Sequence, residues 1–221
     1  MILVMFDMDG TLIDTGALIA EHMATAFAEL GLNPPEPWQV RDIIGLALPV
    51  AIATLARTDD VAMIEGLVGA YKAHYTASLA HDLDREPLYP GARAALDRLQ
   101  ARDDVVLGIA TGKGLSGVTR ILGKHDIEGH FVTLQTPDHN PSKPHPGMLL
   151  SAMAETGIAP EDTVMIGDTR FDMELARAAK AHAIGVVWGY HAPDDLLKAG
   201  AEVLISSYDD LDAALEKVLA R

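Results

Sequence analysis

Two aspartates at the end of the first apolar run constrain this chain more than any other feature. Ile2-Leu3-Val4-Met5-Phe6 is too short to span a bilayer and reads as a buried strand, and Asp7-Met8-Asp9-Gly10-Thr11 follows directly. Side chains alternate along a strand, so acids two positions apart start on the same face. Gly10 then lets the backbone turn sharply and approach a ligand. Paired carboxylates at the mouth of a buried strand are costly without a partner. The natural partner is a divalent cation with oxygen ligands, with a phosphoryl group beside it. A plainer reading is also open, in which Asp7 ends a strand and Asp9-Gly10 is an ordinary turn.

The rest of the chain bears on that choice. Its 221 residues have room for one large domain, or for one domain carrying a smaller insertion. A hydrophobic share of 49% is ample for a packed core. A net charge of −15 and a pI near 4.8 argue against nucleic acid or an anionic membrane as partner. The same field repels a phosphorylated substrate, so attraction has to be local, from a metal and one or two placed cations. Without cysteine there are no disulfides, thiolate metal sites or cysteine nucleophiles. No basic leader precedes the first strand, and no run is long enough for a transmembrane helix. The expectation is a cytoplasmic protein, monomer or homodimer.

Hydrophobic periodicity divides the chain. From Thr15 to Leu83 the patterns are helical: Leu18 to Leu30, Trp38 to Ile44, Leu48 to Arg57, and Asp60 to Leu83. Beyond the connector Arg85 to Gly91, helical patterns alternate with apolar runs at Val105–Ala110, Phe131–Leu134, Thr163–Ile166, Ile184–Trp188 and Val203–Ile205. Alternation of this kind implies a parallel sheet with right-handed crossovers, and continuous apolar runs imply strands covered on both faces. The predicted fold is therefore α/β, a doubly wound, mostly parallel sheet built from residues 1–14 and 84–221. A helical subdomain, residues 15–83, is inserted just after the first strand, where it can act as a lid.

In open α/β sheets ligands bind beyond the carboxyl ends of the strands. The first run ends in Asp7 and Asp9, the second in Thr111-Gly112-Lys113, and the fourth in Gly167-Asp168-Thr169-Arg170-Phe171-Asp172. Lys143 lies in a loop among Pro141, Pro144 and Pro146, which stiffen it and keep its ammonium in place. Singly, Thr111 also reads as a helix N-cap, Lys143 as a solvated lysine, and Asp168 and Asp172 as turn and helix-start acids. Together, at successive strand ends, they suit a phosphate site.

These residues resemble the haloacid dehalogenase superfamily, in its phosphatase branch with a helical cap. Asp7-Met8-Asp9-Gly10-Thr11 is similar to the first motif of that family, Thr111 to the second, Lys143 to the third, and Gly167 to Asp172 to the fourth. Gly185-Val186-Val187-Trp188-Gly189-Tyr190 adds to a likeness to phosphoglycolate phosphatases. The resemblance implies that Asp7 is the nucleophile and Asp9 the general acid and base. It implies that Thr111 and Gly112 hold phosphoryl oxygens and that Lys143 neutralises charge. It further implies Mg²⁺ bound by Asp7, the Asp9 carbonyl and Asp168, with Asp172 beside it or reached through water. Dehalogenases of the superfamily lack the second acid and the metal, so Asp9 and Asp168 favour phosphoryl transfer.

The implied substrate is a small phosphorylated metabolite, most of all 2-phosphoglycolate. Its selection falls to the cap, where Arg41, Arg57 and Lys72 are the cations and Ile44-Gly45-Leu46 is expected to dip toward the site. Gly45 and Arg41 are the cap residues assigned to substrate, with a solvated helix position as the plainer reading of Arg41. His22, on the first cap helix, reads as a surface residue, with a place facing the site as the alternative, and Arg170 reads as a local cation. A sugar phosphomutase of the β-phosphoglucomutase type, or a non-catalytic phosphate-binding module on the same fold, stays open.

Overall fold

A computed structural model describes residues 1–79 and 85–220. Among these, six strands form one sheet: β1 Ile2–Phe6, β2 Val105–Ala110, β3 Phe131–Gln135, β4 Thr163–Gly167, β5 His182–Val186 and β6 Val203–Ile205. Their order is β3-β2-β1-β4-β5-β6, and every pairing is parallel. The chain winds outward from β1 in one direction and then, from β4, in the other. The crevice at the carboxyl end of β1, flanked by β2 and β4, is thus the switch point where ligands bind in such sheets.

The apolar character of β1 is what lets it take the centre. Val4 and Phe6 enter one fully buried cluster and Leu3 and Met5 the other, as the two-residue side-chain period requires. Helices α5 Ala92–Gln100, α6 Leu115–Lys124 and α10 Leu211–Leu219 cover the first face through Leu96, Ile121 and Leu215. Helices α7 Gly147–Thr156, α8 Arg170–Ala179 and α9 Pro193–Ala199 cover the second through Met148, Leu175 and Leu196.

Between β1 and α5 the described residues form four helices, α1 Gly16–Glu29, α2 Pro37–Arg41, α3 Leu48–Ala56 and α4 Val61–Leu79. They enclose a third cluster of their own, built on Met23, Phe27, Val40, Ile52 and Leu67. The end of the predicted helix at Leu83, and the boundary between residues 83 and 84, lie outside the described residues.

Several element ends differ from the sequence reading by a few residues, and two differences bear on the site. Helix α2 stops at Arg41 rather than Ile44, because the backbone turns there to reach the core with Gly45 at φ +103°. Strand β5 starts at His182 and ends at Val186, since its register pairs His182 with Val164 and Gly185 with Gly167. Trp188 is released from the sheet to pack on Tyr208, with ring centroids 4.8 Å apart. The Trp188 indole N–H and the Tyr208 hydroxyl both donate to the Thr11 carbonyl, at 3.1 and 2.9 Å, which fixes the loop after β1.

Phe6 is the last side chain of β1 and is fully buried. Phe6→Ala is expected to cost about 3–5 kcal/mol. Urea unfolding should show a lowered midpoint with an unchanged slope.

Candidate active site

The site begins where β1 stops. The Asp7 amide donates to the Ile166 carbonyl of β4 at 2.9 Å, which carries the β1–β4 pairing one residue further and places the carboxylate at the switch point. Asp7 is buried. Its Oδ1 accepts from the Met8 amide at 2.7 Å and lies 3.1 Å from Lys143 Nζ, while its Oδ2 is buried without a hydrogen-bond partner.

Lys143 is 1% exposed, which removes the reading of a solvated loop lysine. Its ammonium donates to Asp172 Oδ1 at 2.6 Å. Asp172 stands in the first turn of α8, and its Oδ2 accepts from the Thr169 amide at 3.0 Å and hydroxyl at 2.6 Å. It therefore completes a capping box and holds Lys143 at once. Asp168 follows β4. Its Oδ1 accepts from the Thr11 hydroxyl and its Oδ2 from the Tyr190 amide, each at 2.9 Å. A Cβ on Gly189 would lie 2.1 Å from that of Asp168, so glycine is what lets the loop after β5 pass.

Oxygens of Asp7, Asp168 and Asp172 lie within 4.8 Å of one another. Three buried carboxylates stand beside one ammonium, which is paired with Asp7 and Asp172, and the electrostatics show the surplus. Burial pushes Asp7 up to about 7; Lys143 opposes this, and Asp172 and Asp9 add to it. Burial, then Asp172 and Asp7, raise Asp168 well above the ordinary carboxylate range. Burial would depress Lys143, but Asp172 and Asp7 outweigh it and hold the ammonium above the usual lysine value. An all-oxygen donor set, excess negative charge and one unpartnered buried oxygen fit a divalent cation such as Mg²⁺.

Asp9 faces another way. Its Oδ1 accepts from the Thr15 hydroxyl at 2.6 Å, and its Oδ2 pairs with Lys113 Nζ at 3.2 Å. Its carboxylate is thus outside the acidic triad, and any share in a cation would fall to its carbonyl. Thr111 is buried at the end of β2, three residues ahead of Gly114, which caps α6; it is not the helix cap.

A cavity of about 750 Å³ opens over these groups, reaching Asp7, Asp9, Thr111, Gly112 and Gly45. A Cβ on Gly112 would lie 2.4 Å from the Leu46 carbonyl oxygen, so the turn after α2 presses directly on the β2 loop. Arg41 and Arg57 are exposed and do not line the cavity, whereas Lys72 stands at its edge. His22 is not a surface residue: it is 5% exposed, bonded through Nε2 to the Ser78 hydroxyl at 2.9 Å inside the helical block. Arg170 is 3.9 Å from Asp42, an exposed pair of little energetic weight.

Sequence reasoning gave no role to Lys113, Thr15, Tyr190, Tyr75, Glu86 or Arg120. Lys113 had a local signal, following Thr111-Gly112 directly. Glu86 had none. It is fully buried, bonded by both guanidinium nitrogens of Arg120 at 2.6 and 2.7 Å and by the Tyr75 hydroxyl at 2.6 Å.

Residues 4–186 match the family described as haloacid dehalogenase-like hydrolase. The chain is 31% identical over 222 residues to the protein named "Probable phosphatase IndB" of Dickeya dadantii, covering 98% of this chain and 94% of that one. It is 30% identical over 216 residues to a phosphoglycolate phosphatase of Pseudomonas putida, covering 96% and 78%. The solved structure of a hydrolase from Pseudomonas syringae superposes with a TM-score of 0.87 at 26% identity, over 100% of both chains.

The triad makes the response to cation depend on pH. Folded Asp7 holds its proton up to about 7, against an ordinary value of 3.8, so the folded state binds more protons than the unfolded chain between those values. Without cation, stability therefore falls as pH rises through that window. At one hundred times its dissociation constant, a divalent cation held by the triad should add about 2.7 kcal/mol, on the order of 5–10 °C in Tm for a chain this long. Thermal scans against chelator should show that gain at pH 8 and much less at pH 5, where protons compete for the same carboxylates.

Proposed function

The chain belongs to the haloacid dehalogenase-like hydrolases and is a phosphatase of that family, and we propose that it hydrolyses a small organic phosphomonoester with Mg²⁺ through an aspartyl-phosphate on Asp7. The observation that carries this reading is Asp7 itself. It is a buried carboxylate with one unpartnered oxygen, beside a buried ammonium, at the floor of a cavity that also holds Asp9. Asp7, Asp168 and Asp172 would hold the cation, whose positive charge would keep Asp7 ionised and offset the charge of the phosphoryl group.

In the first step the Asp7 carboxylate attacks phosphorus, the phosphorus–oxygen bond of the ester breaks, and Asp9 gives its proton to the leaving alkoxide. In the second, Asp9 takes a proton from water as that water attacks the phosphorus of the aspartyl-phosphate. Inorganic phosphate leaves and Asp7 is restored. Thr15 and Lys113 orient Asp9 for both transfers. Thr111 and Gly112 are placed to take phosphoryl oxygens, and Lys143 offsets charge between Asp7 and the substrate.

We assign residues 15–83 as the cap, closing over the site through Gly45. Arg41 takes no part in this assignment, being exposed and away from the cavity. The proposed setting is the cytoplasm, as monomer or homodimer; no described helix is long and apolar enough to cross a membrane. The reference substrate is 2-phosphoglycolate.

Asp7→Asn or a chelator should reduce phosphate release from p-nitrophenyl phosphate to background. Asp9→Asn should behave differently with this ester, whose phenolate leaves without a proton. Labelled phosphate should accumulate on the protein after acid quench, and turnover should fall roughly 10²–10⁴-fold. Transfer of label to a sugar instead of water would mark a mutase.

A further inference from the structure

The cavity over Asp7 is far larger than a two-carbon leaving group needs, and its two walls differ in kind. At about 750 Å³ it falls within the range of roughly 300–1,000 Å³ that encloses whole organic ligands. The core wall is polar, made by Asp7, Asp9, Thr111 and Lys113. The opposite wall comes from the cap and is largely apolar, made by Ile19, Met23, Ile44, Leu48, Tyr71 and Leu79, with Lys72, Tyr75 and Thr76 as its polar members.

The cations on the cavity surface complete the contrast. Lys113 is 3.2 Å from Asp9 and sits over the Tyr75 ring at 5.1 Å from its centroid. Arg120 is engaged by both oxygens of Glu86. Lys72, on α4, also lines the cavity but is exposed to solvent, with no ion pair among the described residues. A carboxylate carried close to the phosphoryl group would therefore have to take Lys113 from Asp9, rely on the solvated Lys72, or else lose water against an apolar wall. A hydrocarbon group in the same place would bury its surface against Ile44, Leu48 and Tyr71.

We propose that the cap cavity selects phosphomonoesters whose leaving group is an extended or bulky apolar group, and disfavours small acidic esters such as 2-phosphoglycolate. This rests on the phosphatase reading above and replaces only its reference substrate. The cap contributes affinity by apolar burial, and the charged recognition is confined to the phosphoryl end.

The test is a series of n-alkyl phosphates, ethyl through octyl, with 2-phosphoglycolate, using the full chain with Mg²⁺. Primary alkanols leave with nearly the same acidity, so differences along the series read the cavity and not the chemistry of departure. Full burial of a methylene corresponds to about a threefold to fourfold gain. kcat/KM should thus rise by on the order of a hundredfold from ethyl to hexyl, with 2-phosphoglycolate below ethyl phosphate. Leu48→Arg, placed on a partly exposed part of the wall, should flatten the series and raise the activity on 2-phosphoglycolate. A flat series in the parent protein, or 2-phosphoglycolate preferred over hexyl phosphate, would overturn the proposal and leave the phosphatase reading standing. Release of phosphate from none of the esters would overturn the phosphatase reading, and this one with it.

Discussion

The ammonium of Lys143, closed in between Asp7 and Asp172, is the interaction on which the site depends. Moving an ammonium and several carboxylates out of water is expensive unless they satisfy one another. Here the satisfaction is partial. Lys143 binds Asp172 and Asp7, Thr169 binds Asp172, and Thr11 and Tyr190 bind Asp168, yet one Asp7 oxygen has no partner. A fold that tolerates such an imbalance does so where charge is to be supplied from outside. The surplus is therefore chemical information, and it points to a cation and a phosphoryl group together.

The sheet brings these groups together without any of them being close in sequence. β1 is central, so its end meets the loop after β2 on one side and the loop after β4 on the other. The loop after β5 adds Tyr190 to Asp168, and Trp188 and Tyr208 hold the Thr11 carbonyl from behind. The Thr11 hydroxyl can then reach Asp168 because its backbone is already fixed. Support from behind of this kind keeps the carboxylates of Asp7 and Asp168 within reach of one another.

Most of the core was legible in the sequence because its signals are local. An apolar run ending in acid, alcohol or glycine marks a strand and its carboxyl end, and the structure puts Asp7, Thr111 and Asp168 at such ends beside one another. Lys143 was legible through its prolines. The cap was legible as helices, but not as a wall. Whether Arg41 or Lys72 reaches the cavity depends on how α2 and α4 are turned against the core, and periodicity does not give that angle. His22 looked like a surface residue because one histidine in an amphipathic pattern carries no sign of the Ser78 hydroxyl it meets 56 residues later. Glu86 was invisible for the same reason, since its partners Tyr75 and Arg120 come from helices on either side of the connector.

Glu86 also shows how the cap is tied to the core. Burial works against its charge, but Arg120 and Tyr75 outweigh burial and hold it below the ordinary carboxylate range. Through it, helix α4 of the cap, the connector and helix α6 of the core meet at one buried point, and His125 Nε2 adds a bond to its carbonyl at 2.8 Å. The other tie is made of backbone, where the Gly45-Leu46 turn presses on Gly112 and the Ala47 amide donates to the Ser142 hydroxyl at 2.8 Å. Residues of both ties line the cavity, Tyr75 and Arg120 from the first and Gly45 and Gly112 from the second. One tie is ionic and one is steric, and neither presents a free cation to the bound molecule. The shape of the space is therefore set by how cap and core meet, and most of its cap lining is the apolar side chains that the cap turns inward.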